Sequence, residues 1–174
     1  MKNFNKEWLR LYAVTDRAWL GDETLYEQVE KALRGGATMV QIREKERDEA
    51  HFEAEAKLIQ KLCRTYQVPL IINDNVALAK RIDADGVHIG QSDMEMKNAR
   101  AILGEDKIIG VTAKTIEQAQ AAEAAGADYL GSGAVFGSST KTDAKPMDHA
   151  VLAAFAAGRA DGLRADNDCH SRAG

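Results

Sequence analysis

The sequence has little cysteine and no long hydrophobic run. The two cysteines, Cys63 and Cys169, lie far apart and fit no metal or redox spacing. We expect both to be free structural thiols in a reducing cytoplasm. No apolar run approaches the roughly 20 residues that cross a bilayer, so a membrane-spanning protein is excluded. The N-terminus also lacks the apolar core of a signal peptide.

An excess of positive charge is missing as well. The formal net charge is −4, and acidic and basic residues are interspersed along the 174 residues. This excludes the basic footprint of a nucleic-acid-binding protein. Hydrophobic residues make up 45% and charged residues 29%, which is the composition of an ordinary globular domain. We therefore expect small-molecule ligands, without nucleic acid or membrane partners, and the composition leaves a homo-oligomer open.

Short apolar runs alternate with amphipathic helical patterns along most of the chain. Near-continuous Val, Ile and Leu indicates strands buried on both faces, as in parallel sheets. Three of the runs lie in the similar phrases "GGATMVQIR", "DADGVHIGQ" and "AGADYLGSG", which recur about every 45 residues as a weak internal repeat. The six predicted strands lie within residues 10–16, 38–44, 68–74, 85–91, 107–113 and 128–136.

Strict alternation of strands and helices predicts an α/β fold with right-handed crossovers. No GxGxxG follows the first strand, which weakens the case for a Rossmann fold. Polar residues end nearly every strand, whereas an open doubly wound sheet uses mainly one switch point. The sequence therefore favours a (β/α)8 TIM-barrel type, incomplete at six βα units. We predict a partial barrel over 1–158 and a disordered or aberrant tail over 159–174, since the tail has no strand pattern. The polar strand ends are Asp16, Lys45, Asp74, Gln91, Thr112 and Ser132.

The second strand ends in a run of long polar side chains. Alternation along the strand turns Val40 and Ile42 toward the helices, and Gln41, Arg43 and Lys45 toward the barrel interior. Cations inside a barrel are costly unless an anion meets them, and the arginine fork suits phosphate oxygens. The alternative is that two neighbouring glutamates, at positions 44 and 46, pair with these cations on the surface.

Two aspartates follow adjacent strands. Asp74 ends the third strand after Asn73, and Asp93 follows the fourth. Carboxylates on one rim suit Mg²⁺, which is commonly held by one or two of them together with substrate phosphates. With Arg43 and Lys45 they predict a site for a Mg²⁺-bound diphosphate. For Asp93 alone, a helix N-cap is an equal alternative.

Two further features carry weaker signals. The loop 131–146 offers glycine N–H groups, hydroxyls and Lys141 to an anion, although such loops are more often only loops. His88 lies in the middle of a strand. A lone strand histidine is more often a satisfied core residue than a catalytic group.

The motifs "LYAVTD", "VQIREK", "PLIINDN", "ADGVHIGQSD", "IIGVTA" and "GADYLGSGAVFGSSTKTDAKP" resemble thiamine phosphate synthase in order and spacing, over about residues 10–150. That family has a (β/α)8 barrel. It joins a hydroxymethylpyrimidine diphosphate to a thiazole phosphate, giving thiamine phosphate and pyrophosphate.

The resemblance implies roles for particular residues of this chain. It places Mg²⁺ on Asp74 and Asp93, and charge stabilisation in catalysis on Arg43, Lys45 and Lys141. The thiazole phosphate would lie partly on Ser138, Ser139 and Thr140. The pyrimidine diphosphate would lie on Gln41, Ile42, Arg43, Glu44, Lys45, Asn73, Thr112 and Lys141.

The final residues depart from the family, because nothing in "RADGLRADNDCHSRAG" resembles its last two strands. The sequence thus predicts a truncated or frame-shifted end and little synthase activity for this chain. One alternative is a protein like the related thiazole tautomerase, which has no need of a diphosphate site. Another is an inactive fragment that binds only the pyrimidine diphosphate.

Overall fold

A computed structural model describes residues 4–44, 48–91, 94–133 and 152–153, and the backbone of 165–167. Its strands are β1 (Tyr12–Val14), β2 (Met39–Ile42), β3 (Leu70–Asn73), β4 (Gly86–Ile89), β5 (Ile108–Thr112), β6 (Tyr129–Ser132) and β7 (Ala165–Asn167). Its α-helices are α1 (Leu25–Arg34), α2 (Glu49–Thr65), α3 (Val76–Arg81), α4 (Met96–Leu103) and α5 (Ile116–Ala124). Two 3₁₀ helices, Lys6–Leu9 and Arg17–Trp19, flank β1.

The strands form one parallel sheet in sequence order, from β1 to β7. A helix follows each of β2 to β5, which is the arrangement of a (β/α) barrel in which consecutive strands are neighbours. The six predicted strands are confirmed. The described strands make no pairing between β7 and β1, so this part of the chain forms an incomplete barrel.

The seventh strand was not predicted. Ala165–Asn167 pairs in parallel with Leu130–Ser132, inside the segment for which the sequence predicts a disordered or aberrant tail. The side-chain pattern does not signal this strand, because backbone N–H and C=O groups pair along a strand edge whatever the side chains are. The disordered or aberrant character of 159–174 stays a prediction. The remainder of 159–174 lies outside the described residues.

The helix ends follow local sequence signals. Thr24, rather than the acidic residues before it, caps α1, and it forms a reciprocal capping box with Glu27. Asp48 caps α2 by accepting from the backbone N–H of His51. Gly36, at φ +96°, reverses the chain after α1 in a conformation that favours glycine. Within the described ranges, no helix is both long and apolar enough to cross a membrane.

The internal repeat has a structural cause. In each phrase, the residue before the strand accepts a hydrogen bond from the backbone N–H at the start of a neighbouring strand. The three bonds are Leu11 N–H to Thr38 at 2.9 Å, Leu70 N–H to Asp85 at 2.9 Å, and Ile109 N–H to Asp128 at 2.8 Å. A side-chain oxygen at this position ties neighbouring strands together and helps to fix their register.

The two faces of the sheet pack differently. Val40 and Ile42 belong to a large apolar cluster with the helices, as predicted from alternation. The opposite face carries a smaller cluster around Tyr129, on which Phe4 and Trp8 pack. This inner face is apolar at the start of the strands and polar toward their carboxyl ends, where the site residues lie. The inner cluster contains Met39, Ile71, Ile108 and Tyr129.

Candidate active site at the carboxyl ends of the strands

The end of β2 brings Gln41 and Arg43 to the inner side of the sheet. Gln41 is buried, at 4% exposure, and its amide Nε2 donates to the Tyr12 hydroxyl at 2.7 Å. Ile42 is fully buried against the helices, so only its backbone can reach a ligand. Arg43 follows directly and is half-buried, and its backbone N–H donates to the Thr15 hydroxyl at 3.0 Å.

Glu44 is turned away from Arg43. Its carboxylate pairs with Arg17, which also pairs with Glu55 on α2. The Glu44 side chain is only 6% exposed. Within the described ranges, no carboxylate forms an ion pair with Arg43. This speaks against surface pairing of Glu44 with Arg43, and leaves the Arg43 guanidinium able to meet an anion.

The end of β3 carries the first of the two predicted metal ligands. Asp74 has φ +61°, and its backbone N–H donates to the carbonyl of His88 at 2.8 Å. Its carboxylate accepts from the side-chain amide of Asn73 at 2.6 Å. A left-handed conformation is uncommon for a residue other than glycine and is often found at functional sites. The strained turn and the amide together orient this carboxylate at the strand end.

A chain of hydrogen bonds crosses the inner face below the strand ends. From Gln41 it continues through the Tyr12 and Tyr129 hydroxyls, which are 2.6 Å apart. Tyr129 contacts His88 Nδ1 at 3.1 Å, and His88 Nε2 contacts the Thr112 hydroxyl at 2.9 Å. His88 is thus a satisfied polar residue of the interior, as the sequence favoured. The chain links two predicted ligand-binding residues, Gln41 and Thr112.

Two glycines make room for the rings of this chain. A Cβ on Gly110 would lie 2.1 Å from Cζ of Tyr129, and one on Gly131 would lie 2.8 Å from Cε1 of His88. Neither separation is compatible with van der Waals contact. Glycine at these positions lets the aromatic and imidazole rings lie over the neighbouring strands.

Several predicted site residues fall outside the described residues. Asp93 is one of them, but α4 begins after Glu95, which makes no side-chain capping bond. The N-cap position of α4 is thus occupied by Glu95, and the role of Asp93 stays a prediction. Within the described ranges, no group of three or more His, Cys, Asp and Glu side chains could hold a metal ion. The other undescribed candidates are Lys45, Ser138, Ser139, Thr140 and Lys141.

Sequence reasoning missed three residues that shape the site: Arg17, Tyr12 and Tyr129. Tyr12 and Tyr129 lie on β1 and β6, and their alternation signals an inward position. Their pairing across the sheet left no such signal. The ion pairs of Arg17, which lies in the 3₁₀ helix after β1, likewise left no local signal in the sequence.

The fold and the site define an α/β protein of the TIM-barrel type whose polar residues converge at the carboxyl ends of its parallel strands. A family model described as thiamine monophosphate synthase matches residues 11–159. The chain belongs to this family, whose members are transferases of thiamine biosynthesis. The predicted family and fold class are thereby confirmed.

Relatives from bacteria, plants and archaea support this assignment. A thiamine-phosphate synthase from Clostridium acetobutylicum is 52% identical over 147 residues, which cover 84% of this chain and 68% of the relative. A chloroplastic thiamine biosynthetic bifunctional enzyme from Arabidopsis thaliana is 48% identical, over 80% of this chain and 27% of that protein. The solved structure of a thiamine phosphate pyrophosphorylase from Pyrococcus furiosus superposes with a TM-score of 0.80 at 35% identity. It covers 91% of this chain and 73% of that structure.

Proposed function

We propose that the site of this chain serves the condensation of 4-amino-5-hydroxymethyl-2-methylpyrimidine diphosphate with a thiazole phosphate, giving thiamine phosphate and pyrophosphate. The low synthase activity predicted from its final residues stays a prediction. Family membership supports the reaction. The observation that supports this reaction at the carboxyl ends of the strands is the half-buried Arg43 after β2. Among the residues that the structure describes, no carboxylate forms an ion pair with it. Asn73 and Thr112 end β3 and β5, and Gln41 lies one residue before the end of β2, at the same edge of the sheet.

The reaction would proceed by loss of the leaving group followed by capture of the cation. The bond between the benzylic-like carbon and the bridging oxygen breaks, and its electron pair leaves with pyrophosphate. The 4-amino group of the pyrimidine donates electrons to the resulting cation, and the thiazole nitrogen then supplies the pair for the new C–N bond. Arg43, with Lys45 and Lys141, would stabilise the charge that develops on the departing diphosphate. No protein nucleophile is required.

The residues at the end of β3 fit a magnesium ion. Mg²⁺ prefers oxygen ligands, and Asp74 presents a carboxylate there. One of its oxygens accepts from the side-chain amide of Asn73, which helps to orient the carboxylate. Asp74 and Asp93 would hold the ion. It would add positive charge at the diphosphate oxygens.

The other ligand contacts stay predictions. Ser138, Ser139 and Thr140 would hold part of the thiazole phosphate, and the backbones of Ile42 and Glu44 would line the pyrimidine site. A thiazole tautomerase would have no need of the Arg43 site, and the relatives described above are named as synthases or synthesis enzymes. The cytoplasmic location and a homo-oligomer also remain predictions.

Calorimetric titration with the pyrimidine diphosphate, with and without Mg²⁺, tests the proposal together with a chromatographic assay for thiamine phosphate. Arg43→Gln should weaken binding about tenfold to a hundredfold, the usual cost of losing a charge-assisted hydrogen bond. Arg34→Gln is the matched control, because Arg34 lies on the exposed face of α1 and pairs with Glu30. Equal binding by wild type and Arg43→Gln would overturn the anion site. Binding without turnover would instead favour a protein that only binds the pyrimidine diphosphate.

A further inference from the structure

The hydrogen-bonded chain from Gln41 to Thr112 has a direction, set at its Gln41 end. An amide NH₂ group only donates, so the Tyr12 oxygen accepts from Gln41. Each phenol carries a single hydrogen. A neutral imidazole carries one hydrogen and offers its other nitrogen as an acceptor.

When the hydrogens run in one direction, every group between Gln41 and Thr112 both accepts and donates one hydrogen bond within the chain. Tyr12 then donates to Tyr129, and Tyr129 donates to Nδ1 of His88. The imidazole hydrogen must therefore sit on Nε2, which donates to the Thr112 oxygen. The hydroxyl hydrogen of Thr112 is left to point elsewhere.

We propose that Tyr12, Tyr129 and His88 act as positioning residues, which fix the Nε2–H tautomer of His88 and make the Thr112 hydroxyl a donor toward the mouth of the site. This inference rests on the proposed function for the identity of the ligand, an organic diphosphate. Diphosphate oxygens only accept hydrogen bonds at neutral pH. If the Thr112 hydroxyl instead donated to His88, its oxygen lone pairs would face the diphosphate oxygens and repel these acceptors.

The packing around the chain holds this arrangement. The ring of Tyr129 is fully buried, and it stacks on Phe4 with ring centroids 5.8 Å apart. Tyr12 meets Tyr129 edge-on at 5.7 Å. Gly110 and Gly131 lie beneath the rings of Tyr129 and His88, where a larger residue would clash with them. The rings that carry the chain are thus held by contacts with one another and with the sheet.

Nitrogen-15 NMR of histidine-labelled protein tests the tautomer without any ligand. His88 is expected as the Nε2–H form at neutral pH, and His88→Gln identifies its signals among the four histidines. An Nδ1–H form would reverse the chain and overturn the inference. Tyr129→Phe keeps the ring but removes the hydroxyl, so the tautomer preference of His88 should weaken. Tyr26→Phe on α1 is the matched control and should leave it unchanged.

A double-mutant cycle tests the link to the ligand. Tyr129→Phe should weaken binding of the pyrimidine diphosphate by about tenfold, the scale of one hydrogen bond, whereas the same change in a Thr112→Val background should have no further effect. Equal effects in both backgrounds would show that Tyr129 acts independently of Thr112, against the inference. If wild type binds no pyrimidine diphosphate but His88 is Nε2–H, the proposed function fails and the direction of the chain stands.

Discussion

Arg17 holds the carboxylate of Glu44, the residue directly after Arg43, in an ion pair that is nearly closed to solvent on the glutamate side. Burial lowers the pKa of Arg17, but its hydrogen bond to Glu44 and the charge of Glu55 raise it overall, so the guanidinium stays charged. The pair keeps a negative charge away from the guanidinium that we assign to diphosphate binding. Arg17 therefore shapes the site without lying among the predicted ligands.

Arg17→Gln should release Glu44 and weaken both stability and ligand binding. Loss of one partner from a mostly buried pair should lower the free energy of unfolding by about 2 kcal/mol, between the values for surface and buried pairs. Affinity for the pyrimidine diphosphate should fall about tenfold, because Glu44 then competes for Arg43. Urea unfolding and calorimetry measure the two effects.

The double variant Arg17→Gln with Glu44→Gln separates the effect on ligand binding from the effect on stability. Removal of the released carboxylate should restore most of the affinity while stability stays low. Arg34→Gln controls for the loss of a positive charge. If the double variant binds as weakly as Arg17→Gln, Glu44 is not the cause of the weaker binding.

Arg43→Lys should behave as a loss-of-function change although the charge is kept. A guanidinium can contact two phosphate oxygens at once, whereas an ammonium acts as a point charge. We expect at least about a tenfold loss of affinity for the pyrimidine diphosphate, measured by calorimetry. Arg34→Lys serves as the control. Unchanged affinity in Arg43→Lys would mean that Arg43 only lies near the surface.

Local patterns predicted the fold and part of the site. The apolar runs identified six strands because both faces of a parallel strand are buried. Alternation then placed Gln41 on the inner face and Ile42 against the helices, as the structure confirms. Both features depend on residues close in sequence, which is the information that periodicity contains.

Contacts between distant residues could not be predicted in this way. The Tyr12 and Tyr129 hydroxyls are separated by 117 positions, and Arg17 and Glu44 by 27. Such contacts depend on how the sheet curls and on which side chains fill its interior, and neither leaves a local pattern. β7 could not be predicted for a related reason. Its pairing depends on the free edge of β6 and not on a pattern of its own side chains.

Gly110→Ala should be more disruptive than Gly131→Ala. The new methyl group would lie 2.1 Å from the buried ring of Tyr129 in the first case, and 2.8 Å from the half-buried ring of His88 in the second. Overpacking of a rigid core costs about 1–3 kcal/mol, and Gly110→Ala should lie at the upper end of that range. The free energy of urea unfolding measures this. A stability order reversed between the two variants would show that Tyr129 can move aside more easily than His88.

The capping box of α1 should make stability depend on pH. Hydrogen bonds from the backbone N–H and the hydroxyl of Thr24 hold the pKa of Glu27 below its ordinary value of 4.5. A carboxyl with a lowered pKa stabilises the folded state fully above its ordinary pKa, and this contribution is lost as the pH falls through the lowered value. Glu27→Gln keeps a hydrogen-bonding side chain but removes the charge. Wild type should therefore have the higher Tm at pH 7, and the difference should shrink as the pH approaches 3.

Thermal unfolding followed by circular dichroism, at a series of pH values between these limits, measures that difference. The control makes the same Glu27→Gln change in a Thr24→Ala background, because the hydroxyl that helps to lower the pKa of Glu27 is then missing. In that background, the pH-dependent part of the difference in Tm caused by Glu27→Gln should be smaller. A difference in Tm that stays constant from pH 7 to pH 3 would show that the charge of Glu27 adds nothing to the cap, and that its hydrogen bonds alone stabilise the start of α1.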